Sequence, residues 1–319
     1  MPGLRYDQLL RGGRRGWAWP FLGLPLLTIL LLVVQVGLVV VAAAVLFLSG
    51  TDAGEAQDRL TGDPVTPMFL TVVNLGWAAA IPAVWLVLWA AHGLRPGWAA
   101  SVVGRIRWRW LVTCFGLSAA ALLITLVVSA LLPAQGTGAD VAGASGELND
   151  FTTQTRDFLI VIVLLTPLQA VGEEYAFRGY LTQACGALAR SRVVAVVVPA
   201  LVFALLHGLG QPIPVFVDRF AFGLVAGILV IVTGGLEAGI AMHVLNNLMA
   251  FGLALAFGDM TQTLAAADGN WWIMPVTLTQ SLAFLALVTY AARRRGLQTT
   301  SDAGPVEGPP VLVGQNPSV

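Results

Sequence analysis

Long apolar stretches separated by short polar loops organise almost the whole chain. The first runs from Phe21 to Leu48, and others follow at about 68–91, 110–132, 157–183, 193–207, 219–234, 236–256 and 272–292. A membrane helix needs about 20 mostly apolar residues, so the pattern predicts about eight transmembrane helices. The fifth and sixth are short enough to be half-buried or broken. The first run follows Arg5, Arg11, Arg14 and Arg15. It is too long for the apolar core of a signal peptide and lacks a small-residue cleavage site, so it reads as a retained helix.

Composition agrees with the pattern. Of 319 residues, 57% are hydrophobic and 11% charged, where a soluble chain carries roughly 25% charged residues. Such a chain cannot cover a soluble surface. The expectation is an all-α, polytopic helical bundle in a lipid bilayer. Seventeen basic residues, all arginine, balance 17 acidic ones, which excludes the basic footprint of a nucleic-acid binder. The all-arginine usage and abundant Ala, Gly and Val hint at a GC-rich bacterial genome. Thirteen of the 17 arginines fall in alternate loops (Arg5–Arg15, Arg95–Arg109, Arg190 and Arg192, Arg293–Arg295), while the opposite loops are acidic, Asp218 included, with only Arg59, Arg156 and Arg219 joining them. The positive-inside rule then places both termini in the cytoplasm of a multi-pass plasma-membrane protein, which requires an even number of crossings. Trp17, Trp19, Trp98, Trp108 and Trp110 mark one border and Trp271 and Trp272 the other. Cys114 and Cys185 are too few for a disulfide framework. The expected organisation is helices 1–3 with their loops over 1–150, a core of helices 4–7 over 151–256, a last helix over 257–296, and a disordered cytoplasmic tail over 297–319. The polar loop 133–156 is expected to be mobile.

The informative residues are polar ones placed where polarity is costly. Glu173, Glu174 and Arg178 lie within the fourth apolar run, in VGEEYAFRGYL. A charge at a helix centre costs about 2.5–3.5 kcal/mol on insertion scales, so such residues are normally partnered and functional. Glu174 and Arg178 have the spacing and order of an ion pair on one helix face. Glu173 is turned about 100° away and must find a partner on another helix. Two adjacent acids in different surroundings are the pattern that separates a structural carboxylate from a catalytic one. His207 ends the fifth run one turn after Phe203, and His243 lies in the seventh with Asn247 four residues on and Asn246 as a geometric rival. A carboxylate and an imidazole together can hold and deprotonate water. A His and an Asn amide on one face can donate to an oxyanion. There is no HExxH zinc-protease helix. A divalent metal such as zinc, held by Glu173, His207 and His243 from separate helices, stays open.

At these residues the chain resembles the CPBP family, the CaaX-processing and bacteriocin-processing intramembrane proteases related to type II CaaX prenyl endopeptidases. The motif EExxxR reads Glu173, Glu174, Arg178; FxxxH reads Phe203 and His207; HxxxN reads His243 and Asn247. The likeness covers about residues 155–255. It implies an endopeptidase acting on a membrane-associated polypeptide, with Glu173 and His207 activating water and His243 and Asn247 stabilising the oxyanion. Glu174, Arg178 and Phe203 would support the site. No organic cofactor is implied. On the expected spans His243 lies about 10 Å from its cytoplasmic end and Glu173 and His207 about 20 Å, so broken or tilted fifth and sixth helices are expected to bring them level. Two other functions compete. A non-catalytic immunity or binding protein of the same fold would not need the full residue set. A proton-coupled transporter predicts interrupted helices in both halves, yet the first half carries no intramembrane charge.

Overall fold

The computed structural model describes residues 3–14, 16–131, 147–265 and 271–302. Helix α1 (Ala18–Leu48) is followed by a short polar helix, α2 (Ala53–Thr61), and by α3 (Pro67–Ala78) and α4 (Ala80–Ala90), which together make one rod. Next come α5 (Trp108–Leu131), α6 (Thr153–Leu164) and α7 (Thr166–Glu173). A π-helical segment, Glu174–Leu181, leads directly into α8 (Thr182–Ala189). The chain closes with α9 (Arg192–Leu206), α10 (Ile213–Thr233), α11 (Glu237–Phe257), α12 (Met260–Ala265) and α13 (Ile273–Arg294). Among the described residues there is no strand, only the isolated bridges Arg5–Thr300 and Ser101–Gly235. The protein is an all-α polytopic bundle.

Every expected apolar run is helical, but length alone does not make eight crossings. Six helices are long and apolar enough (α1, the α3–α4 rod, α5, α10, α11 and α13), and the bent unit of α6 with α7–α8 raises this to seven. Helix α9 has 15 residues, roughly 22 Å at 1.5 Å per residue against a hydrocarbon layer of about 30 Å. Much of α1, including Leu32, Val36 and Val40, is exposed, as suits a helix lying against acyl chains.

Both ends of the described chain meet on one face of the bundle. Gly3 N donates to Ser301 O and Ser301 N to Leu4 O. The tail expected to be disordered over 297–319 is ordered at its start, since Thr300 and Ser301 pair with the N-terminal segment and Gln298 O accepts from Arg107, while 303–319 fall outside the described residues. Most of the loop expected to be mobile (residues 133–146), together with Arg15, also falls outside them. Arg107 staples this face: it grips Glu237 through Nε and Nη2 at 2.8 and 2.7 Å and donates to Thr233 O and Gln298 O. That fixes the turn from which α11 departs.

The break that levels the polar residues is in the fourth apolar run, not in the fifth or sixth. α6 and α7–α8 meet at a 40° bend, where Pro167 opens α7. Proline suits a first helical turn but breaks a continuing helix. The π turn then follows. Gly172 permits the closest approach in this region, because a Cβ there would overlap the Trp77 carbonyl at the α3–α4 junction. Backbone cannot yield as a side chain can, so Gly172→Ala is expected to lower thermal stability in detergent by several degrees while exposed Gly116→Ala does not. Unchanged melting of Gly172→Ala would refute this packing.

His92, just beyond α4, is 1% exposed and hydrogen-bonds Tyr180 Oη at 2.9 Å. Burial, and then the nearby Arg14 charge, push its pKa down to about 4. The unfolded ring titrates near 6.5, so the unfolded state gains protons first as pH falls. Stability should be full above about pH 6.5 and decline toward pH 4. His92→Gln should flatten that decline in thermal melts across the range.

Candidate active site

Seven helices (α3, α7 and α9–α13) and the π turn converge on a cavity of about 570 Å³ whose lining includes Glu173, His207, His243, Asn246, Asn247 and Gln169. α7 contributes Gln169 and Glu173, one turn apart on one face. The π segment contributes Phe177 to the wall and holds Glu174 and Arg178 behind it, α9 contributes Phe203 and His207, and α11 contributes His243, Asn246 and Asn247.

The two glutamates have different surroundings. Glu174 and Arg178 are fully buried, and Arg178 Nη1 donates to Glu174 Oε1 at 2.9 Å. His243 Nδ1 lies 2.9 Å from the same oxygen. A carboxylate paired with a guanidinium is an acceptor only, so Nδ1 carries the proton and His243 is oriented by Glu174. Its other nitrogen, Nε2, stands 3.6 Å from Glu173 Oε2. Glu173 Oε1 accepts from Gln169 Nε2, whereas Oε2 is buried without a hydrogen-bond partner. Gln169 Oε1 in turn accepts from Asn247 Nδ2 at 3.1 Å. Glu173 was expected to find a partner on another helix; its hydrogen bond is to Gln169 on its own helix, and its approach to His243 is the longer one, whereas Glu174 hydrogen-bonds His243 across the bundle. The wider i→i+5 turn begins at Glu174, and such turns recur at functional sites.

Phe203 is the hub of the apolar wall. Its ring lies 4.4 Å from that of His207 and 5.9 Å from that of His243. The Arg178 guanidinium sits 4.3 Å above its centre. His207 caps α9, and its Nδ1 donates to Phe203 O at 2.7 Å, leaving Nε2 as the nitrogen available to the cavity. No hydrogen bond joins His207 to Glu173 or His243 among the described residues. Arg219 Nη1 donates to His207 O and Gln211 Oε1, tying the α9–α10 turn to the site.

Sequence reasoning missed Gln169, Asp218 and Arg219. Asp218 and Arg219 were expected among outer-loop charges, yet both line the cavity, because α10 starts at Ile213, with Pro214 in its first turn, rather than at Arg219. Gln169 had a usable signal: an amide in an apolar run, four residues before Glu173.

Gly239 on α11 lets the pair sit where it does. A Cβ there would lie 2.5 Å from Glu174 Oε2, an oxygen pinned through its carboxyl by Arg178 and His243. Gly239→Ala is expected to displace that carboxyl and reduce activity at least tenfold while the protein still inserts. Wild-type activity in that variant would show the contact to be slack.

No three His, Cys, Asp or Glu groups among the described residues converge well enough to hold a metal ion. His243 Nε2 and Glu173 Oε2 face each other at 3.6 Å, and no third ligating group joins them closely enough among the described residues.

Residues 155–249 match the family described as type II CAAX prenyl endopeptidase Rce1-like. The chain resembles the Rce1-like endopeptidases. The chain is also 23% identical over 247 residues to the uncharacterized protein YyaK of Bacillus subtilis (strain 168), over 74% of this chain and 79% of that protein. No solved structure matches. The Rce1-like segment starts in α6 and ends in α11, and it takes in all three motifs and the cavity-lining helices other than α3, α12 and α13. At the level of the family, the likeness supports a CAAX-type protease embedded in a membrane.

Proposed function

We propose that the protein is an intramembrane endopeptidase in which Glu173 is the base that activates water. The observation that carries this reading is the contrast between the acids: each has a buried, unpartnered Oε2, but Glu174 is ion-paired to Arg178 and lies behind the wall, while Glu173 has no guanidinium partner and lines the cavity beside His243 Nε2. A water held between Glu173 and His207 Nε2 gives a proton to Glu173 as its oxygen attacks the scissile carbonyl. Asn247, whose second amide proton is free of Gln169, donates to the oxyanion. His243, held in orientation through Nδ1–H on Glu174, presents Nε2 to the same space. Collapse of the tetrahedral intermediate then sends the proton from Glu173 to the departing amine. Two glutamates with divergent partners thus divide the work: one orients, the other reacts.

The substrate is a membrane-associated polypeptide entering a water-accessible cavity, and both termini face the cytoplasm. The pairing of the N-terminal segment with residues 300–301 supports an even number of crossings. Reporter fusions after Asp140 and Arg295 should read opposite sides, and identical readings would overturn that topology.

The test is the full-length protein in proteoliposomes with a quenched-fluorescence peptide library. Cleavage should appear, persist in excess chelator, and vanish in Glu173→Gln. Cleavage lost on chelation and restored by zinc would replace the metal-free step. No cleavage of any peptide or co-reconstituted membrane protein would argue for a binding role.

A further inference from the structure

A second cavity, of about 500 Å³, lies between the N-terminal end of α5 and the C-terminal end of α13, on the face where the termini meet. Its lining is Arg107, Arg109, Trp110, Thr113, Arg295 and Leu297. It shares no lining residue with the candidate active site.

The charge here is not balanced. Arg107 is neutralised by Glu237, with its remaining donors spent on backbone carbonyls. Arg295 donates to the Thr113 hydroxyl at 2.6 Å and lies 5.6 Å over the Trp110 ring, so it is positioned without an acid. Arg109 has no carboxylate partner among the described residues, and the first turn of α5 contains no acidic residue. Two exposed guanidiniums without an acidic partner therefore line this cavity beside a helix N-terminus, which itself favours anions. Guanidinium forks match phosphate oxygens, and the match is strongest when two donors act together.

Surroundings decide the source of the anion. Trp108, at the same helix end, is exposed, as are Val112 on α5 and Tyr290 on α13. An indole at the end of a span marks headgroup depth, and the exposed residues on the two flanking helices give acyl chains a surface to follow. We infer that this cavity holds the phosphate-bearing headgroup of an anionic phospholipid. Basic pockets between helices at a membrane face suit such headgroups, each arginine contributing about 1 kcal/mol near an anionic surface.

The test uses purified full-length protein in detergent, with bound lipid read by native mass spectrometry after mixing with phosphatidylglycerol and phosphatidylcholine of identical chains. The wild type should retain phosphatidylglycerol preferentially. The double variant Arg109→Gln/Arg295→Gln should lose that preference by a factor on the order of 30. Arg105→Gln, an arginine equally exposed but outside the cavity, should keep it; each single variant should lose part, which covers the case of a double variant that fails to fold. Equal retention of both lipids, or an undiminished preference in the folded variants, would overturn the inference. Displacement of phosphatidylglycerol by millimolar inorganic phosphate would also overturn it, by assigning the cavity to a soluble anion.

Discussion

Arg178→Ala is expected to destabilise the protein by about 3–5 kcal/mol, the usual penalty for leaving a buried charge without its partner. Both members of the Glu174–Arg178 pair are fully buried, so solvent cannot take over the role of the missing group. The arginine also packs over Phe203 and lies near the rings of Phe177 and Phe222, and truncation leaves a void among them. Without it, Glu174 and Glu173 share a single imidazole, and the orientation of His243 is lost with the pair. Thermal unfolding in detergent should show a drop far larger than for an exposed change such as Arg59→Ala. Removing both charges with Glu174→Gln/Arg178→Met should restore much of the stability but not the activity, because replacing a buried pair with neutral groups is far less costly than breaking it. An Arg178→Ala protein that melts with the wild type would show that the pair does not hold the site together.

Glu173→Gln should do the opposite, keeping the fold and losing turnover. Glutamine has nearly the same shape, and its carbonyl can still accept from Gln169, so the Gln169–Asn247 chain survives. It cannot take a proton from water at neutral pH. General-base catalysis is worth roughly 10²–10⁴ in rate, and a loss of that size is expected at unchanged thermal stability. Asn247→Ala removes one oxyanion donor, typically about 10²–10³ in rate, and also frees Gln169. A Glu173→Gln protein within tenfold of wild type would shift the base to His243 or His207, both of which present Nε2 to the cavity.

Much of this site was legible because its spacing is helical. Glu174 and Arg178 fall on one face by simple counting, and so do Phe203 with His207 and His243 with Asn247. What counting could not supply is the backbone between them. Nothing in EYAFRGYL signals an i→i+5 turn, so the sequence suggests one glutamate reaching across the bundle where the structure shows two converging on His243. The bend before α7 had a marker in Pro167, but an apolar window of 27 residues reads straight through it. Windows of hydropathy also hid Asp218 and Arg219: a helix that starts at Ile213 carries its first charges into a cavity, whereas a run that starts at Arg219 leaves them in a loop. The choice between Asn246 and Asn247 needed coordinates, since both line the cavity and only Asn247 bonds Gln169. The span count turns on α9, which is apolar after Arg192 yet at 15 residues too short to cross a full bilayer alone.

The central claim is that this membrane cavity breaks peptide bonds through Glu173. Its most direct test is a quantitative comparison of polypeptide termini in membranes from cells carrying the wild-type protein or Glu173→Gln at matched abundance. The account requires a set of new amino and carboxyl termini on membrane-associated polypeptides that is present with the wild type and absent with Glu173→Gln. Identical sets of termini in the two membranes, with both proteins folded and inserted, would contradict it.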